Sequence, residues 1–75
     1  MNQRLLSQTY GDGITKTFAV PQVPRNCLLA VRVIDNYVEY QFNEDHSLLT
    51  LVDPAPAERV LITFVAIPKT YALQP

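Results

Sequence analysis

Polar and apolar residues alternate with a period of two along most of this 75-residue chain, in runs that stay short. That period sends successive side chains to opposite faces of a strand, and no stretch repeats at the spacing of an amphipathic helix. Arg4 to Tyr10 sets Leu6, Gln8 and Tyr10 against Leu5, Ser7 and Thr9 and reads as an edge strand. Lys16 to Val20 places Phe18 and Val20 on one face, with Thr17 and Ala19 on the other. Leu28 to Ile34 opposes Leu29, Val31 and Val33 to Leu28, Ala30, Arg32 and Ile34. Tyr37 to Phe42 alternates most cleanly, and Ser47 to Val52 follows with Leu49 and Leu51 apart from Thr50 and Val52. In the last run, Arg59 to Ile67, Val60, Ile62, Phe64 and Ala66 are apolar, and so are Leu61, Val65 and Ile67 between them. A strand apolar on both faces must be covered on both.

Turn residues punctuate these runs. The chain has two glycines, and both sit in Gly11-Asp12-Gly13, where freedom to reach positive φ marks a tight reversal between two strands. Pro21 closes the second run, and with Pro24 it makes a loop that cannot pair regularly, because each proline lacks a donor and constrains its predecessor. This loop is expected to cross between sheets. Asp35-Asn36 supplies a two-residue hairpin, Asn43-Glu44-Asp45-His46 a polar turn, and together they predict a three-strand meander. Asp53-Pro54-Ala55-Pro56-Ala57-Glu58 is a rigid proline turn, and Pro68 ends the last strand. The expected fold is all-β, a small antiparallel β-sandwich or partly open barrel of about six strands. It forms a single domain over residues 1–75, with a short N-terminal arm and an extended C-terminal tail from about residue 68.

Composition narrows the function classes. A chain of this length buries only about 60% of its unfolded surface, so it needs a staple. With one cysteine, Cys27, and one histidine, neither an internal disulfide nor a closed zinc site can be built. A binding partner remains, and the low charged fraction of 17% favours association. The net charge is −1, with Arg4, Lys16, Arg25, Arg32, Arg59 and Lys69 dispersed along the chain, so there is no basic stripe for nucleic acid. No apolar run approaches membrane-spanning length and the N-terminus lacks a signal-peptide core, so synthesis in a reducing cytoplasm is expected.

Candidate chemistry is sparse. His46 beside Glu44 and Asp45 reads as a solvated turn rather than a metal corner, since adjacent turn residues rarely converge on one ion. Ser47 next to His46 has no orienting third group and points the other way from its neighbour. Gly11-Asp12-Gly13 precedes no helix and cannot cradle a phosphate. Cys27 reads as a small buried hydrophobe. The residues suggest no enzyme, no cofactor and no metal. The feature that points outward is the doubly apolar last strand: Leu61, Val65 and Ile67, with Tyr71 and Leu73 beyond, would leave an exposed contact patch on a monomer. The other arrangement is that the N-terminal strand or the tail covers this face within the chain.

Thr9-Tyr10-Gly11-Asp12-Gly13, Thr15, Thr17-Phe18 and Pro21, followed by an apolar strand, a hairpin, Leu49-Thr50-Leu51, an acidic-Pro-x-Pro turn and a closing Val60-x-Ile62-x-Phe64 strand, form a pattern over Ser7 to Ile67. This pattern resembles a small β-module of tailed-bacteriophage virion proteins, the N-terminal, particle-attaching segment of tail fibres and related adaptor and decoration proteins. The resemblance implies a virion structural role in head, neck or tail, made in the host cytoplasm and acting as a homo-oligomer that touches other virion proteins. Its sheet edges and extended termini would be offered to neighbours, with no nucleic acid and no membrane as partner. With no fibrous shaft after the module, a fitting that joins or covers particle parts is favoured over receptor binding. The competing class is a free-standing β binding module, an inhibitor or regulator of a host protein that acts through its last strand.

Overall fold

The computed structural model describes residues 3–69. The fold is all-β, with strands β1 (Arg4–Tyr10), β2 (Thr17–Ala19), β3 (Cys27–Val33), β4 (Asn36–Val38), β5 (Tyr40–Phe42), β6 (Leu48–Leu51) and β7 (Leu61–Pro68). They form two antiparallel sheets, one in the order β1-β7-β3-β4 (sheet A) and one in the order β2-β6-β5 (sheet B). The sheets face each other as a small sandwich that does not close into a barrel.

The inner faces follow from the period of two. Ile62 and Phe64 on β7, Val31 on β3, and Leu49 and Leu51 on β6 form the buried cluster, packed by Leu6, Phe18, Val20, Leu29, Val38 and Tyr40 at its margin. Phe18 of sheet B meets Phe64 of sheet A edge to face at 6.0 Å between ring centroids, an arrangement that suits the ring quadrupoles. β7 lies between β1 and β3 and is apolar at every position except Thr63.

Three local expectations are corrected. The run Tyr37 to Phe42 is not one strand, and there is no three-strand meander. β4 pairs with β3 in sheet A, the chain switches sheets at Glu39, and β5 pairs with β6 in sheet B, so the described chain has seven strands. Alternation does not break at the switch because Val38 and Tyr40 both pack on the shared core, one from each sheet. The hairpin turn between β3 and β4 is also shifted by one residue. Val33 pairs with Asn36, leaving Ile34 and Asp35 at the tip, and Ile34 takes φ 58°. A β-branched residue is strained there by about 1–2 kcal/mol. The Ile34 amide donates to the Leu61 carbonyl at 2.9 Å, extending the β3–β7 ladder, so pairing with β7 overrides the turn preference of Asp35-Asn36.

Asp12 and Gly13 do not form a hairpin either. β1 and β2 lie in different sheets, and Gly11-Asp12-Gly13 is a corner between them. Pro21 follows β2 as expected, and residues 20–26 cross from sheet B to the start of β3 in sheet A.

Candidate functional interface

Three features stand out from the scaffold: the corner at Gly11, the outer face of sheet A, and the free edge of β1. At the corner, Gly11 is buried against the proline turn. Its amide donates to the Val60 carbonyl at 2.8 Å, its carbonyl accepts from the Arg59 amide at 3.0 Å, and the Gly13 amide donates to the Pro56 carbonyl at 2.8 Å. A Cβ at Gly11 would overlap the Ala57 carbonyl oxygen and stand 2.7 Å from that of Pro56. Gly13 has open space around it but takes φ 79°, a conformation that glycine adopts without cost. Between them, the Asp12 carboxylate accepts from the Ile14 amide at 2.8 Å, and from the Thr15 amide and hydroxyl at 2.6 Å each. The Thr15 hydroxyl, then the amides of Thr15 and Ile14, hold the Asp12 carboxyl down at about 2. The glycine corner and the proline turn, far apart in sequence, are thus one interlocked unit.

The β5–β6 hairpin closes in the same style. Asn43 Oδ1 accepts from the Leu48 amide at 3.0 Å, and Asp45 Oδ1 accepts from the Ser47 hydroxyl at 2.6 Å and its amide at 3.0 Å. The Ser47 hydroxyl, then its amide, lower the Asp45 carboxyl from its ordinary value. His46 stacks on Phe42 at 4.6 Å between ring centroids. Ser47 Oγ and His46 are thereby engaged in the turn itself. Among the described residues, no three of His, Cys, Asp and Glu converge as metal ligands would.

The outer face of sheet A is built by register, since directly paired residues share a face. Leu5, Val65 and Ala30 form one row, Gln8, Thr63, Arg32 and Tyr37 the next, and Tyr10 with Leu61 the last, while Leu28 pairs with Ile67. The expected contact residues fall here unevenly. Val65 is only 3% exposed, so it does not present the open patch expected of it, and Leu61 and Ile67 are half-buried. Tyr71 and Leu73 lie outside the described residues. The exposed apolar surface comes from the flanking strands instead: Leu5, Tyr10 at 67%, Leu28, and Tyr37 at 51%. The sequence signal for these was present in the alternation of β1, β3 and β4. It was masked because the pairing of β1 beside β7 cannot be read from β1 alone.

The Gln3 side-chain amide donates to the Tyr37 hydroxyl and so links the start of β1 to β4 across the two central strands. Between these edges, Thr63 is 1% exposed, and its hydroxyl and the neighbouring Arg32 Nε are buried without a hydrogen-bond partner. β4 pairs only with Val31–Val33, so among the described residues the first half of β3 has no strand neighbour on that side. The Leu29 carbonyl in that half accepts from the Tyr40 hydroxyl of sheet B at 2.6 Å, and burial raises the Tyr40 phenol above its ordinary value.

No protein-family model matches the chain, and comparison with curated proteins and with solved structures gives no match.

Proposed function

We propose that this chain is a non-enzymatic structural protein of the bacteriophage virion, an adaptor or decoration module that oligomerises and joins or covers other particle proteins in head, neck or tail. The observation that carries the reading is the interlocked corner. The residues that make the sequence resemble the virion module, Gly11-Asp12-Gly13 with Thr15 and the Pro-x-Pro turn, meet through Gly11, Gly13, Pro56 and Val60. That the separated parts of the pattern pack against each other is consistent with their belonging to one structural unit, and this supports the reading. The exposed apolar side chains on the outer face of sheet A are compatible with assembly.

Peptide mass spectrometry of purified source particles tests this directly, with the chain quantified against the most abundant shell protein. Near-parity assigns decoration of the shell, a small ring's worth assigns a neck or tail fitting, and absence from the particle overturns the proposal. The second reading is a free-standing binding module that engages a host protein. Its contact surface would be the outer face around β7, because both edges of that strand are already paired. A stable monomer at all concentrations, absent from particles, would favour it.

A further inference from the structure

Among the described residues the two sheets end in β1, β4, β2 and β5, and the four residues Cys27–Ala30 of β3 are open where β4 stops short. β2, β4 and β5 are three residues long, and very short edge strands are one way that proteins keep edges from recruiting other chains. β1 is seven residues long, carries no proline, and has one charged residue, Arg4, at its very start. Its bulge lies between Leu5 and Ser7 and turns Leu6 to the core, which leaves Ser7–Tyr10 in regular register with β7. A row of unpaired backbone groups of that length is a template for an added strand.

The start of this edge opens into a cleft of about 450 Å³, lined by Arg4, Leu5 and Leu6 on one side and by Val23, Pro24 and Arg25 of the crossing loop on the other. Arg4 and Arg25 are both exposed. Neither β1 nor residues 20–26 contain any of the seven acidic residues of this net-negative chain. The cleft is therefore locally cationic and partly apolar, and it has no internal carboxylate to neutralise it.

We propose that the free edge of β1 receives an extended segment of a partner protein as an added strand, with an acidic residue of that segment seated in the cleft lined by Arg4 and Arg25. Backbone pairing along Ser7–Tyr10 supplies affinity, and the guanidinium groups fix direction and select the acidic end. The assignment rests on the reading of the chain as a joining module and names the kind of segment that it joins. The two fail separately. Absence from particles removes the virion reading whatever peptides do, and the binding experiment judges the edge whatever particles contain.

The test uses the full chain, labelled with ¹⁵N, and two synthetic peptides that alternate threonine and valine, one ending with two aspartates and the other with two lysines, because a strand added antiparallel to β1 brings its C-terminal end to Arg4. The expected result is that the aspartate peptide slows amide hydrogen exchange in β1. Its affinity should fall about fivefold in the exposed double variant Arg4→Gln/Arg25→Gln, the scale of two solvent-exposed charge contacts. The lysine peptide should bind at least as weakly as that. No binding of the aspartate peptide at about 1 mM, protection on another strand, or equal affinity for both peptides or both proteins overturns the proposal. Circular dichroism of the double variant confirms that its fold is intact before the comparison is read.

Discussion

Replacing Gly11 by alanine tests the interlocked corner most sharply, because the neighbouring Gly13 is an internal control. At Gly11 the added methyl would meet backbone, the carbonyl oxygens of Ala57 and Pro56, which cannot swing aside as a flexible side chain could. Overpacking against fixed atoms costs about 1–3 kcal/mol. If the corner separates to relieve the overlap, the three backbone hydrogen bonds joining Gly11 and Gly13 to Val60, Arg59 and Pro56 are lost, at about 1 kcal/mol each. The cost is therefore at most about 3 kcal/mol by either route, and it reaches that value if the corner separates. A chain of 75 residues has roughly 4–11 kcal/mol in all, and a loss of about 3 kcal/mol corresponds to a fall in Tm of about 12 to 24 °C. At Gly13 a methyl meets nothing, and only the left-handed backbone resists it, at about 1–2 kcal/mol. Urea unfolding followed by circular dichroism, with thermal melts alongside, measures both variants. The reasoning is refuted if Gly13→Ala costs as much as Gly11→Ala, or if Gly11→Ala costs less than about 1 kcal/mol.

Other outcomes follow from the same geometry. Tyr40→Phe should lose about 1 kcal/mol, because the part-buried Leu29 carbonyl loses its donor, and a urea midpoint unchanged from wild type would count against the inter-sheet bond. Thr63→Val should stabilise by about 1 kcal/mol, since it replaces a buried, unpartnered hydroxyl by a methyl of the same shape; a loss of stability would mean that the hydroxyl has a partner after all. Val65→Asp should unfold the chain rather than merely weaken assembly, because the side chain is buried; a folded, dissociated variant would return Val65 to the interface. The Asp12 carboxyl, lowered to about 2 from 3.8, contributes stability that is present above the ordinary carboxylate range and lost as pH falls from about 4 through 2. Asp45 is lowered too and adds in the same direction. Asp12→Asn should therefore flatten the fall in Tm over that window, and an acid limb as steep as that of wild type would show that the Asp12 turn is not formed.

The period-two pattern was enough to determine the all-β class, the bounds of β1, β3 and β7 to within two residues, and the crossing nature of the proline loop. It does so because alternation is a local property, set by which side chains can share a face of an extended chain. The switch of sheets at Glu39 left no mark, since both halves of the run Tyr37 to Phe42 pack on one core and so keep their alternation across the corner. Both glycines of the corner are visible as turn residues, but their roles differ for a reason held elsewhere in the chain. Gly13 answers to its own backbone, whereas Gly11 answers to Pro56 and Ala57, brought against it by folding. The same holds for the outer face of sheet A. Local pattern makes Val65 apolar, and only its place between Leu5 and Ala30 on a central strand decides that it is buried while Tyr10 and Tyr37 stand exposed. Strand identity is thus written in nearest-neighbour chemistry, whereas strand order, which sets edges, clefts and exposed faces, comes from contacts between distant segments that no local pattern encodes.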